Sequence, residues 1–234
     1  MLILAFETSA KAGSVALLED GHLLAESYVN TGLTHSQTLL SMAETLLSNC
    51  GRTPQQVQAV AVAAGPGSFT GIRIGVAAAK GFAWGAELPC YGVSTLEAMA
   101  RNLGLWQGLV CCVMDARRAQ VYNALFRMES GKLHRLTEDR AISLEDLAQE
   151  LKNTGEPIFL VGDGSELCYN TLREALPDLV LPAEHRMHQR AAGVALGAQQ
   201  QIDDGVPADA GGLQPNYLRL SQAEREKLAR EQEK

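Results

Sequence analysis

The chain has 234 residues, 46% of them hydrophobic and 20% charged, with 20 basic against 27 acidic side chains and a formal charge of -7. This length buries a core without disulfides or a structural metal, which excludes a stapled miniprotein; the acidity excludes strong nucleic-acid binding by this chain alone, because that needs Lys and Arg on the phosphates. No apolar run reaches the roughly 18 residues that span a bilayer, and the opening MLILAFETSA has no basic leader, so the protein is expected to begin at Met1 and to be cytoplasmic, with no membrane contact.

Residues 2–8, 13–18 and 22–29 read as strands, and Asp20-Gly21 between the last two is a hairpin signal. Thr34 to Gln37 has the form of a capping box, opening a helix with Leu39, Leu40, Ala43, Leu46 and Leu47 that Gly51 stops. A second box, Thr53 to Gln56, precedes the apolar run 57–64, which fits a central strand buried on both faces. That strand runs into the glycine-rich stretch GPGSFTGIRIG and a helix over about 70–85, and a short strand at 90–93 leads to a helix capped at Ser94. The second half repeats the order. Strands are expected at 109–115, 120–128, 132–137 and 158–161, and helices at 143–151, 165–175 and 187–202.

Both halves read β-β-β-α-β-α, which implies two three-layer α/β lobes meeting at a cleft, with residues 1–104 in the first lobe and 105–220 in the second. Residues 221–234 form a charged tail with i,i+4 ion pairs, expected as a solvated helix. The first lobe is charge-poor. Residues 1–104 hold 5 basic and 7 acidic side chains, against 15 and 20 in the remainder, so its surface is either buried in its own chain or covered by another. The five cysteines (Cys50, Cys90, Cys111, Cys112 and Cys168) are odd in number and lack C-x-x-C spacing, so they read as small buried hydrophobes in a reducing compartment.

The stretch 65–75 follows a strand and opens a helix, where free N–H groups can hold an anion. Its glycines match neither the dinucleotide fingerprint nor the P-loop, so it is either a phosphate cradle or a tight strand-to-helix turn. If a nucleotide binds, Thr8, Ser9, Gly65 and Gly67 are its expected contacts. Helix 70–85 is full of Gly and Ala, which favours close approach by another backbone. Glu7 at a strand end could act on a metal-bound water or be an exposed carboxylate on a capped turn. Asp115, Arg117 and Arg118 are expected to pair as a local salt bridge or else to reach into the cleft. His185 and His188 are spaced H-x-x-H, which does not match the i,i+4 spacing of an H-E-x-x-H metal pair. No G-x-S-x-G nucleophile elbow is present.

The segments FETSAKAGSVALLEDG, GPGSFTGIRIG and AKGFAWGAELPCYGVSTLEAMA, with NYLRL near the end, resemble the TsaB (YeaZ) family, a glycoprotease-like branch of the acetate kinase, sugar kinase, Hsp70 and actin superfamily. The resemblance implies the two-lobed, duplicated RNase H-like fold of that superfamily. It also implies a cytoplasmic role in threonylcarbamoylation of the adenosine next to the anticodon in tRNAs reading codons that begin with A. A catalytic paralogue, TsaD, and an ATPase, TsaE, are the implied partners. The paralogue carries an H-x-x-x-H metal motif in a segment aligned with 92–99, where this chain has Thr95 and Met99, so a non-catalytic scaffold without metal is expected. The resemblance further implies that helices 34–48 and 70–85 dock on the partner or on a second copy, with tRNA reached indirectly through the complex. The expected contacts are His35, Leu39, Met42, Leu46, Ile72, Arg73, Val76 and Lys80, and Val76→Glu is expected to break the assembly. No intrinsic cofactor is expected, and any weak ATP or ADP binding is expected in the complex. The competing readings are a small ATPase or kinase using the cleft and a metallopeptidase.

Overall fold

The computed structural model describes residues 1–104, 108–129, 131–152 and 154–219. The charged tail expected at 221–234 lies outside the described residues. Strands β1 (Leu2–Glu7), β2 (Gly13–Glu19) and β3 (His22–Val29) form an antiparallel meander, followed by α1 (His35–Asn49), β4 (Ala59–Gly65), α2 (Phe69–Gly85), β5 (Cys90–Ser94) and α3 (Thr95–Asn102). The second half has β6 (Gly108–Asp115), β7 (Gln120–Glu129), β8 (Lys132–Arg135), β9 (Arg140–Ser143), α4 (Leu144–Leu151), β10 (Ile158–Val161), α5 (Ser165–Leu172), β11 (Leu179–Val180), α6 (Glu184–Met187) and α7 (Ala191–Asp203). The strand orders are β3-β2-β1-β4-β5 and β8-β7-β6-β10-β11, so the two sheets share one topology. In both, the meander is antiparallel and the later strands are parallel. The additions to the expected order are β9, which pairs with β7, the edge strand β11, and the short helix α6, separate from α7 where one helix over 187–202 was expected.

Local signals act where they were expected. Asp20 and Gly21 both have positive φ, as a tight hairpin between right-twisted strands requires. Ser94 Oγ accepts the Glu97 N–H at 3.2 Å, and Gln56 Oε1 accepts the Thr53 N–H at 2.8 Å. The box at Thr34 does not form. That hydroxyl accepts from Ser36 Oγ, and the first turn of α1 closes through the Thr34 carbonyl and the Gln37 N–H.

The near-continuous apolar strands have one explanation: each sheet is covered on both faces, and alternate residues enter different cores. In β1, Leu2, Leu4 and Phe6 pack with α1 and α2, while Ile3 and Ala5 pack with α7. In β6, Leu109, Cys111 and Val113 pack with α4 and α5, while Val110, Cys112 and Met114 pack with α3. Adjacent Cys111 and Cys112 therefore serve opposite faces. Burial raises the thiol of Cys111 and also that of Cys112 far above the ordinary range, so neither ionises. Cys50 is half-buried, unlike the other four cysteines.

The layers run α1/α2, first sheet, α3/α7, second sheet, α4/α5. The expected division lies at residue 104. The boundary separates the sheets, but α7 returns from the second half to cover the first sheet, and α3 of the first half covers the second. The two helices meet closely enough that a Cβ on Gly193 would lie 2.0 Å from the Ala98 carbonyl oxygen.

Candidate functional site

Two features stand out: a cleft between the lobes and the outer face of α1 and α2. The cleft has a volume of about 590 Å³ and is lined by Ser9 to Lys11 of the β1–β2 turn, Pro66 to Thr70 ahead of α2, Met114 to Arg117, Tyr122, Asp163 and residues 216–219.

Glu7 lies beneath this cleft, fully buried rather than exposed on a capped turn. Its Oε1 accepts the Ser9 N–H at 2.6 Å, and its Oε2 accepts no hydrogen bond from the described residues. Burial pushes its pKa up to about 7, with the Asp163 charge acting in the same direction. Asp163 is itself raised by burial, against a 2.9 Å hydrogen bond from Gln189 Nε2. Asp115 does not pair with the neighbouring arginines as expected. Its Oδ1 accepts the Arg117 backbone N–H at 2.7 Å, in a turn where Arg117, Arg118 and Ala119 are all left-handed.

The four residues expected at a nucleotide are engaged within the chain. Thr8 Oγ1 donates to the Gly71 carbonyl at 2.8 Å, and the Ser9 carbonyl accepts the Ser68 N–H at 2.6 Å. A Cβ on Gly65 would lie 2.5 Å from the Asn216 carbonyl oxygen, and one on Gly67 would lie 2.4 Å from that of Ser9. The glycines make room for protein backbone. The geometry is that of a tight turn, with Ser68 capping α2 by accepting the Gly71 N–H.

Of the eight expected contact residues, Ile72, Leu39, Val76 and Leu46 are 0, 2, 5 and 6% exposed and belong to the core beneath the two helices. Val76→Glu would bury a carboxylate there and probe folding rather than assembly. Met42 is half-buried on the same core, and Ala43 points inward. His35 Nε2 meets the Ala10 carbonyl at 2.8 Å, and Lys80 Nζ donates to the carbonyls of Gly211 and Leu213. Arg73 alone of the eight is largely exposed. The outward face instead carries Leu40 at 59% and Trp84 at 63% exposure, with Glu44, Ala77 and Gly81. Spacing alone does not mark Leu40 as outward, because it lies one heptad before the buried Leu47 and so at nearly the same helical angle.

Thr95 and Met99 are both fully buried, Met99 within the core that α3 shares with the second sheet. Among the described residues no group of three or more His, Cys, Asp or Glu is placed to hold a metal, and no helix is long and apolar enough to cross a membrane.

Residues 30–227 match the family model described as TsaD, tRNA N6-adenosine threonylcarbamoyltransferase. The chain is 34% identical to the tRNA threonylcarbamoyladenosine biosynthesis protein TsaB of Bacillus subtilis over 226 residues, covering 96% of each, and 33% identical to TsaB of Escherichia coli over 222 residues, covering 94% and 95%. This chain belongs to the TsaB family. The solved structure of YeaZ from Pseudomonas aeruginosa superposes with a TM-score of 0.77 at 28% identity, covering 93% of this chain and 99% of that one. An ROK hexokinase from Thermus thermophilus shares the fold at a TM-score of 0.50 and 13% identity. The architecture is the two-lobed, actin- and sugar-kinase-like one that the TsaB resemblance implied.

Proposed function

We propose that this chain acts in tRNA threonylcarbamoyladenosine biosynthesis as a non-catalytic scaffold, docking a TsaD-like catalytic paralogue on the outer face of α1 and α2. The observation that carries the reading is the exposure of Leu40 on α1 and of Ala77, Gly81 and Trp84 on α2, in the charge-poor half of the chain. Gly81 costs α2 about 1 kcal/mol in helix propensity. Outside its own helix no described residue lies within 4 Å of where its Cβ would be, which leaves room for a closely packed partner helix. In isolation a second copy would take the same face, and a TsaE-like ATPase would join the assembly in the cytoplasm. With a formal charge of -7, this chain would leave most tRNA phosphate contacts to the paralogue.

The buried Thr95 and Met99 support a non-catalytic role, since neither offers an imidazole to a metal. Weak ATP or ADP binding is assigned to the assembled complex, because Gly65 and Gly67 are packed against this chain's own backbone.

The test is co-expression with the paralogue and measurement of the assembly mass. Leu40→Glu combined with Ala77→Glu is expected to reduce the complex to its separate chains while the melting temperature of this chain stays within a few degrees of wild type, since exposed substitutions shift stability by only about 0.5 kcal/mol. A complex of unchanged mass would remove the docking face. Steady ATP turnover by the isolated chain would favour a cleft ATPase instead.

A further inference from the structure

The segment following α7 is held to the molecule by contacts that straddle the cleft. Its Gly211 and Leu213 carbonyls accept from Lys80 Nζ at 3.0 and 3.1 Å on α2. The Asn216 N–H donates to the Ala64 carbonyl at 2.6 Å, and the Asn216 carbonyl fits against Gly65, whose φ of +118° and missing side chain leave the space. Tyr217 then stacks on Phe69 with ring centroids 4.3 Å apart, while the Arg73 guanidinium lies 3.9 Å over Phe69 and its Nε donates to the Tyr217 hydroxyl at 2.8 Å. Finally, Arg219 Nη1 donates to the Ala116 carbonyl in the β6–β7 turn, across the cleft on the other lobe. Residues 216–219 form part of the cleft lining.

We propose that residues 214–219, beyond the Leu213 anchor, are a releasable strap that lies along the inter-lobe cleft and ties the two lobes together, with the Phe69–Tyr217–Arg73 stack as its latch. Leu213 packs on the core of the first lobe and anchors the segment, whereas residues beyond it add no strand to either sheet and Tyr217 remains 40% exposed, so the strap past Leu213 is held by a few modest contacts. A segment attached in this way opens locally, well before the molecule unfolds. Arg73 and Lys80 both sit on α2, so the latch can be reached from the outer surface of the first lobe without entering the cleft. This inference concerns the isolated chain and stands or falls independently of the docking face.

Hydrogen exchange on the full chain, followed by mass spectrometry, tests it with Tyr217→Ala and the conservative Tyr217→Phe. In Tyr217→Ala, peptides covering 64–70 and 114–120 are expected to exchange about tenfold faster, the equivalent of one lost stacking contact, while β1 and β6 keep their protection. Tyr217→Phe retains the ring stack and is expected to lie close to wild type. The proposal is overturned if residues 64–70 and 114–120 keep wild-type protection in Tyr217→Ala. It is equally overturned if β1 and β6 lose protection in parallel, because the segment would then be part of the cooperative fold.

Discussion

Gly71→Ala is expected to lose about 2 to 3 kcal/mol of folding stability, whereas Gly81→Ala, ten residues along the same helix, is expected to gain about 0.5 to 1 kcal/mol. Both changes add one methyl group and raise helix propensity equally, so propensity cannot separate them. The surroundings do. A Cβ on Gly71 would lie 2.1 Å from the Thr8 carbonyl oxygen, a backbone atom that cannot move without shifting β1 or α2, and Gly75 faces Thr8 Oγ1 at 2.3 Å in the same way. Gly81 is exposed and meets nothing within 4 Å. Urea unfolding at constant m-value checks both, and a Gly71→Ala midpoint at or above that of wild type would disprove the close packing of α2 on the β1–β2 turn.

Glu7→Gln is expected to change how stability depends on pH. The folded protein holds this carboxyl at about 7 against an ordinary 4.5, chiefly because burial disfavours the charged form. A raised value means that the folded state binds the proton more tightly than the unfolded state, so the contribution of Glu7 is fully present below about pH 4.5 and is lost as pH rises through 7. That span corresponds to about 3 kcal/mol. The Gln variant does not titrate, so near pH 8 it is expected to be the more stable protein by an amount of that order, and near pH 4.5 the two should converge. Asp163, also raised by burial, retains a weaker slope of the same sign in the variant. Chemical denaturation from pH 4.5 to 8 provides the comparison, and parallel curves for the two proteins would show that Glu7 does not carry the slope.

These two sites also show where local sequence information stops. The Asp20-Gly21 hairpin, the Ser94 cap and the apolar runs of β1 and β4 were legible because each is settled within a few residues by backbone conformation, one hydrogen bond or composition. The shared order of elements in the two halves carried the duplicated topology, and the quoted motifs carried the family. The burial of Glu7 was not legible, because it depends on the second lobe and the β1–β2 turn closing over it.

Sequence alone thus determined the elements, their order, the two-lobed α/β class and the relationship to TsaB. Tertiary structure decided which side of α1 and α2 faces water, the exchange of α3 and α7 between the lobes, and the placing of residues 216–219 along the cleft. Helical period fixes the angle between Leu39 and Leu40 but not which of them meets the sheet, since both are leucines and only the packed layer beneath distinguishes them. Likewise, the Arg73–Tyr217 contact joins residues 144 apart, and Gly71 differs from Gly81 only in what another segment places beside it. Such contacts leave no local mark, because the energy that selects them arises only when distant parts of the chain are brought together.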